Sequence, residues 1–446
     1  MDRISTGDEY KKSVNDGRAS FIDGELVEDV ATHPLLAASV EAVAETYDRL
    51  TNAGNNPLYT MPQSAAEVRE LMALLAVSDP TATGTLSSAA ATTVAERLDA
   101  PRAERLRSYL VASAADNLRL APAVEDVGGS LRVVERRTDG VVVKGAKRHV
   151  LGAALVHHLL VVPSSKAASG DAEANIAFAV PVNAPGVKVV SISPAPRTPD
   201  TRHYPLSRDG NRSCPDGLVI FNNVFIPEAS IFVDGDPGQG QLIADAVASW
   251  QRARAVATQS EVAELMLGLA RTIAEMNGVP DAPHIREELS AMAVWATLCR
   301  AGWESAQEHA GPTLDGSFRP DDAFIFATKA YGGELFNEMR LNLFDVAGGL
   351  VATAPTVADY YNPDLQEYLN KYLQGVPGVS GFDRMRVFHA IRDVAADTWA
   401  GWFKVTNQTL GGGLFEQKLA TLGNYDLPRV QTAARIAAGI EDQEPL

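Results

Sequence analysis

The apolar residues of this chain change their period twice, from helical spacing to strand-like alternation near residue 131 and back to helical spacing near residue 240. A chain patterned in this way cannot be a uniform helical bundle or a continuous β-sandwich. In the first third, PLLAASVEAVAETYDRLTN, SAAEVRELMALLAVSD and PRAERLRSYLVASAADNLRLA each repeat apolar residues along one helical face. Ser64 followed by Glu67 has the capping-box pattern at the start of the second, and Pro101 stands near the start of the third. Ahead of them ASFIDGELVEDV alternates around Asp23-Gly24, which predicts a hairpin. From 131 to 235 short β-branched runs are separated by Pro, Gly and Asn, and the polar stretch 164–175 reads as an exposed loop. Helical spacing then returns over 242–277, PHIREELSAMAVWATLCRAGWESAQEHA, 322–344, DRMRVFHAIRDVAADTWAGWFKV and PRVQTAARIAAGI. The pattern predicts an α+β chain with three units: a mainly helical 1–130, a β domain at 131–235 and a helical bundle at 236–446. By pattern alone, the β domain could equally be a separate binding module.

Composition narrows the classes of function. The net charge of −17 argues against nonspecific nucleic-acid binding, which needs clustered Lys and Arg. No apolar run approaches the ~18 residues of a membrane span. The opening MDRISTGDEYKKS has no apolar leader core, so a cytoplasmic location is expected. Two cysteines, Cys214 and Cys299, cannot build a disulfide framework, a zinc cage or an iron–sulfur site, and no metal ligands are assigned. Cys214 falls in a loop-like stretch and Cys299 in an apolar helix, contexts in which a thiol is usually inert. No G-x-S-x-G, P-loop or H-E-x-x-H motif occurs. His157 and His158 lie in a β run and should face opposite sides, one in the core and one exposed. His33, His203, His284, His309 and His389 form no constellation.

Five blocks carry a resemblance over almost the whole chain. They are EYKKSVNDGRASFIDGELVEDVATHP; DGVVVKGAKRHVLGAALVHHLLVVPS, with FAVPVNAPGVKVV; LVIFNNVFIP; FDVAGGLVATAPTVADYYNPDLQEYLNKYLQG; and IRDVAADTWAGWFKVTNQTLGGG. In this order they resemble the family of 4-hydroxyphenylacetate 3-monooxygenase (oxygenase component) and 4-hydroxybutyryl-CoA dehydratase, of which the chain is identified as a divergent member. The resemblance implies an acyl-CoA-dehydrogenase-like fold and an FAD site between the β domain and the bundle, completed by neighbouring subunits of a homotetramer. It implies flavin-facing positions at Arg148, Leu151 and Gly152 and at Asp345, Gly348 and Gly349. Paired glycines do allow a cofactor close backbone approach, although Gly348-Gly349 could equally end a helix. Where the family often has Thr-Gly, this chain has Leu151-Gly152 and lacks the hydroxyl.

The family's substrate groups are altered. The dehydratase branch holds a four-iron cluster; Gln251 takes the position of its His ligand and Thr258 that of a Cys, and both are poor iron ligands. The phenol-hydroxylase branch uses an Arg and a Tyr where this chain has Thr85 and Ala89 in GTLSSA, and a Thr-His pair that falls near Ala121-Pro122. Gln251, Arg252 and Arg254 lie on the helix that carries active-site groups in the relatives. Arg252 or Arg254 would bind a carboxylate or phosphate, or else cover a solvated helix face.

The resemblance therefore implies an FADH2-dependent monooxygenase fed by a separate flavin reductase, since no dinucleotide fingerprint is present. Its small-molecule substrate would be atypical, non-phenolic or carrier-bound, in keeping with a biosynthetic role. Two other readings remain open: a redox-neutral flavin isomerase, cyclase or eliminase acting on an acidic or acyl-CoA compound, and a noncatalytic subunit.

Overall fold

The computed structural model describes residues 3–50, 56–164, 171–197, 202–408 and 412–440; part of the polar stretch 164–175 lies outside them. The N-terminal helices are α1 (Gly7–Ser13), α2 (Ala37–Leu50), α3 (Ala65–Ala76), α4 (Pro80–Ala89) and α5 (Ala100–Ala115). A 3-10 helix at Ala90–Arg97 continues α4. Side chains cap the N-termini, and the capping box expected at Ser64 closes only in part, since the Glu67 carboxylate accepts from the Gln63 N–H at 2.9 Å. The Ser64 hydroxyl accepts from the Glu67 N–H, and Asp79 and Asp99 cap α4 and α5, each ahead of an early proline.

The strands are β1 (Ser20–Ile22), β2 (Glu25–Leu26), β3 (Leu120–Ala123), β4 (Glu125–Asp126), β5 (Arg132–Arg137), β6 (Gly140–Arg148), β7 (His158–Val161), β8 (Ile176–Pro181), β9 (Val187–Ile192), β10 (Asp216–Pro227) and β11 (Ile231–Asp234). One sheet runs β2-β1-β9-β10-β6-β4, with β5 also on β6; a second runs β11-β8-β7-β3. Val143, Leu159, Val161, Phe178, Val189 and Phe221 fill the space between them. The expected hairpin forms, pairing Phe21 with Leu26 across Asp23-Gly24, but it also docks β1 parallel to β9. The sheets thus recruit 20–26 and 120–126 from the stretch whose period is mainly helical.

The bundle is built on three long helices, α6 (Pro237–Asn277), α7 (Pro283–Glu308) and α8 (Asp322–Ala347). A small hairpin of β12 (Gly311–Pro312) and β13 (Phe318–Arg319) joins α7 to α8. Shorter helices follow: α9 (Leu350–Thr353), α10 (Val357–Tyr361), α11 (Gln366–Leu373), α12 (Gly381–Ala395), α13 (Thr398–Thr406), α14 (Leu414–Asn424) and α15 (Leu427–Ala437). Met266, Trp295, Phe336, Phe388 and Trp399 form the common core of α6, α7, α8, α12 and α13. The architecture is the α+β, acyl-CoA-dehydrogenase-like arrangement of helices, sheets and bundle. Among the described residues no helix is long and apolar enough to cross a membrane.

Candidate active site

The loop after β6 is held from four directions. Lys147, the last inward residue of β6, is buried and donates to the Val124 and Val162 carbonyls at 2.8 and 2.9 Å, with Asp126 at 2.7 Å. Alternation along the strand then leaves Arg148 exposed. Val150 and Gly152 donate to the Gly217 and Pro215 carbonyls at 3.0 and 2.8 Å. Beyond the loop, Arg18 donates to the Ala154 and Val156 carbonyls at 2.9 and 2.7 Å, and the Tyr10 hydroxyl donates to the Leu155 carbonyl at 2.8 Å. The N-terminal Tyr and Asn-Asp-Gly-Arg blocks therefore act as struts for the 148–156 segment, a role that their position in the sequence did not reveal. Gly152 has φ +70°, and a Cβ there would lie 2.6 Å from the Thr81 side chain. Leu151 is half-buried against the core that holds Leu155 and Cys214. At the mouth of the loop, His149 lies 3.1 Å from Asp216, whose carboxylate raises the imidazole above its ordinary pKa.

The second predicted group sits elsewhere. Asp345, Gly348 and Gly349 are exposed at the end of α8, whose neighbours Leu343, Val346 and Ala347 belong to the bundle core. Gly348 ends the helix with φ +77°, whereas Gly349 has ordinary helical angles. Among the described residues, apart from the adjoining backbone, no heavy atom lies within 4 Å of a Cβ built on either glycine, so the backbone there stands open. Within one chain the 148–152 and 345–349 groups pack onto different cores.

Helix α4 lies between β3 and α6. Its small, hydroxyl-rich sequence PTATGTLSSA lets the backbones approach closely: a Cβ on Gly84 would come within 3.0 Å of the Leu120 carbonyl oxygen. Thr85 bonds back to the Thr81 carbonyl at 2.9 Å and accepts from the Leu120 N–H at 3.0 Å. The stretch around Thr85 and Ala89 thus meets the stretch around Ala121 and Pro122, and all four positions are buried among small side chains.

The three polar residues singled out on α6 diverge, because successive helical positions are ~100° apart. Gln251 is half-buried, and Arg254 pairs with Glu261 at 3.0 Å. Arg252 turns toward α8, buried over the Phe326 ring at 4.9 Å, and burial lowers its pKa. The neighbouring face carries a stripe, Leu242, Asp245, Ala246, Ser249 and Trp250, at i, i+3, i+4, i+7 and i+8. This stripe lines a cavity of about 310 Å³. Ala90, Thr93 and Val94 of the 3-10 helix form a second wall, and Met61 with the β12–β13 hairpin closes the third. The helical spacing was visible in the sequence; the walls opposite were not.

The histidine pair differs from expectation in one member. His157 is buried: Nδ1 accepts from the Arg119 N–H at 2.8 Å, and Nε2 lies 2.8 Å from the Ser13 hydroxyl. Since that hydroxyl donates to the Tyr10 carbonyl, Nε2 carries the proton. His158 is not exposed but half-buried, stacked on Tyr109 with its Nδ1 3.0 Å from the phenol oxygen, and burial lowers its pKa to about 4. Cys214 and Cys299 are both buried free thiols whose pKa burial raises.

Family models cover both ends of this framework. The model for the 4-hydroxyphenylacetate 3-hydroxylase C terminal matches residues 241–439, and that for the N terminal matches 6–79 and 111–233. The chain belongs to the 4-hydroxyphenylacetate 3-hydroxylase family. Among its relatives, the oxygenase component of 4-nitrophenol 4-monooxygenase/4-nitrocatechol 2-monooxygenase of Rhodococcus opacus is 25% identical over 99% of this chain and 93% of its own. The 4-hydroxybutyryl-CoA dehydratase/vinylacetyl-CoA-Δ-isomerase of Clostridium aminobutyricum is 26% identical over 72% of this chain and 68% of its own. The crystal structure of the 4-hydroxyphenylacetate 3-monooxygenase oxygenase component with FAD and 4-hydroxyphenylacetate superposes with a TM-score of 0.85. It is 22% identical and covers 97% of this chain and 98% of its own, a likeness of fold. The N-terminal match leaves out residues 80–110, which are α4, the 3-10 helix and most of α5.

Proposed function

We propose that this chain is the oxygenase component of a two-component, FADH2-dependent monooxygenase, supplied with reduced flavin by a separate reductase and acting on an atypical small molecule. The observation that carries this reading is the near full-length relationship to a protein named as the oxygenase component of a nitrophenol monooxygenase. The dehydratase alternative is disfavoured because Gln251 and Thr258 stand where that branch needs imidazole and thiolate.

The residues present fit a flavin. The exposed Arg148 guanidinium and the strutted Leu151-Gly152 backbone would meet one part of it, and the open Gly348-Gly349 turn beside Asp345 another. Because these groups pack onto different cores, neighbouring chains would complete each site. A homotetramer is supported by α15, which buries no residue of its own, and by Phe415, Leu419, Leu422 and Ile436, which are exposed on α14 and α15. Bound reduced flavin would supply the oxygen-activating chemistry. The chain would supply orientation and shelter, and the 310 Å³ cavity offers a place for substrate.

The substrate departs from the family's pattern because its segment does. Residues 80–110 hold the altered Thr85 and Ala89 positions and also one wall of the cavity. The reading is tested by anaerobic titration with FADH2, then admission of oxygen with a panel of phenols and amines, and mass spectrometry of the products. Oxygen- and FADH2-dependent gain of one oxygen atom is expected. Turnover without oxygen would instead support a redox-neutral flavin enzyme.

A further inference from the structure

The cavity between α6, the 3-10 helix and the β12–β13 hairpin has a chemical bias that the family relationship does not specify. Its body is apolar, formed by Trp250, Val94, Met61 and Phe318. Its hydroxyls have already committed their protons. Thr93 donates to the Ala90 carbonyl and Ser249 to the Ala246 carbonyl, each at 2.8 Å, and Ser317 donates to Asp315 at 2.6 Å. What these groups still offer a ligand is lone pairs. The cation on the lining, Arg319, is held by Asp322 at 2.7 Å. Asp245, exposed at the rim on the α6 stripe, adds a carboxylate that accepts from the Gln241 amide at 2.9 Å and feels the buried Arg252 charge, but forms no ion pair of that kind among the described residues. The hydroxyls of the wall therefore accept hydrogen bonds, and Asp245 is the lining carboxylate available to a ligand, on a chain whose net charge is −17.

We propose that this cavity seats an aromatic ring bearing a protonated amine, with the ring against Trp250 and the ammonium toward Asp245, and that it rejects arylcarboxylates. A carboxylate would meet hydroxyl oxygens that have no proton left to donate and a like charge at the rim, with the Asp322-held Arg319 as its one cation on the lining, whereas an ammonium group would satisfy both the hydroxyl lone pairs and Asp245. A volume of about 310 Å³ accommodates a single substituted ring. The proposal names a substrate class for the oxygenase reading and rests on that reading only for what becomes of the ring; seating the ring requires neither flavin nor turnover.

Tyramine and 4-hydroxyphenylacetate make a matched pair of probes, having the same phenol ring and side chains of opposite charge. Binding of each to the full chain is followed by tryptophan fluorescence, with Trp250→Phe identifying the signal that comes from the cavity. Tyramine should bind about tenfold more tightly or better, a margin equal to one favourable charge contact. Asp245→Asn, on an exposed helix position, should remove most of that preference, and Ala246→Phe should abolish binding of both probes. Equal or tighter binding of 4-hydroxyphenylacetate overturns the proposal, as does a preference that survives Asp245→Asn. Hydroxylation is assayed separately. Tyramine that binds but is not oxygenated leaves the cavity assignment standing and counts against the oxygenase reading. Oxygenation of other substrates with no tyramine binding does the reverse.

Discussion

Arg119 and Asp79 form a buried ion pair at 3.2 Å, with neither side chain more than 1% exposed. Asp79 is also the N-cap of α4, accepting from the Thr81 N–H at 2.8 Å. Arg119 lies 4.6 Å over the Tyr47 ring and immediately precedes β3. One contact thus joins the start of α4 to the strand it packs on.

Asp79→Asn should destabilise the chain by about 3–5 kcal/mol, because Arg119 would keep a buried charge without its partner. Urea denaturation of the variant measures the loss. The double variant Asp79→Asn/Arg119→Met should recover part of it, since it removes the stranded charge. If the double variant is less stable than Asp79→Asn, the pair is not the source of the effect.

Lys329 is fully buried on α8, donating to the Asn407 carbonyl, and burial with the nearby Arg252 and Lys404 charges lowers its pKa to about 7. The unfolded lysine titrates near 10.4, so between about pH 7 and 10.4 the unfolded chain holds the extra proton. The cost of burying the charge is therefore fully present below pH 7 and relieved as pH rises. Lys329→Met should be more stable than the parent at pH 6.5, by on the order of 1–4 kcal/mol, with the gap closing toward pH 10. Thermal or urea unfolding across that range checks the sign; a gap that widens with pH refutes it.

Gly152 and Gly349 should behave oppositely. At Gly152, φ is +70° and Thr81 stands 2.6 Å from an added Cβ, so Gly152→Ala should cost at least ~1–3 kcal/mol of stability. At Gly349 the backbone is helical and the space open, so Gly349→Val should change stability by less than about 1 kcal/mol. Anaerobic FADH2 titration of the folded Gly349→Val variant should nonetheless show weakened binding. Affinity equal to wild type would move the flavin away from this turn.

Phe415 is 70% exposed on α14. Phe415→Glu should shift the assembly to smaller species in light scattering while leaving the helical circular-dichroism signal unchanged. A wild-type chain that already runs as a monomer would refute the tetramer.

The periodic signals in the sequence were reliable because they depend on short-range geometry. A 3.6-residue stripe marked α3, α5, α6, α7 and α8, since each helix must show one apolar side to a core, and β-branched runs bounded by Pro, Gly and Asn marked β6, β9 and β10. The Asp23-Gly24 turn was equally local. What period could not decide was which distant segments share a surface. Nothing near Ser20 announces that it pairs with Val189, and nothing near Arg18 or Tyr10 announces that they brace the carbonyls of 154–156. The candidate site divides in the same way. That 242–250 carries a stripe is a property of one helix, and membership of the family could be read from the order of five blocks. That Arg252 spends its charge over Phe326 rather than in a pocket, and that Trp250 faces a cavity walled by residues some 160 and 60 positions away in sequence, were decided by tertiary packing. Helix phase sets the direction of a side chain, but only the neighbouring elements determine what it meets there.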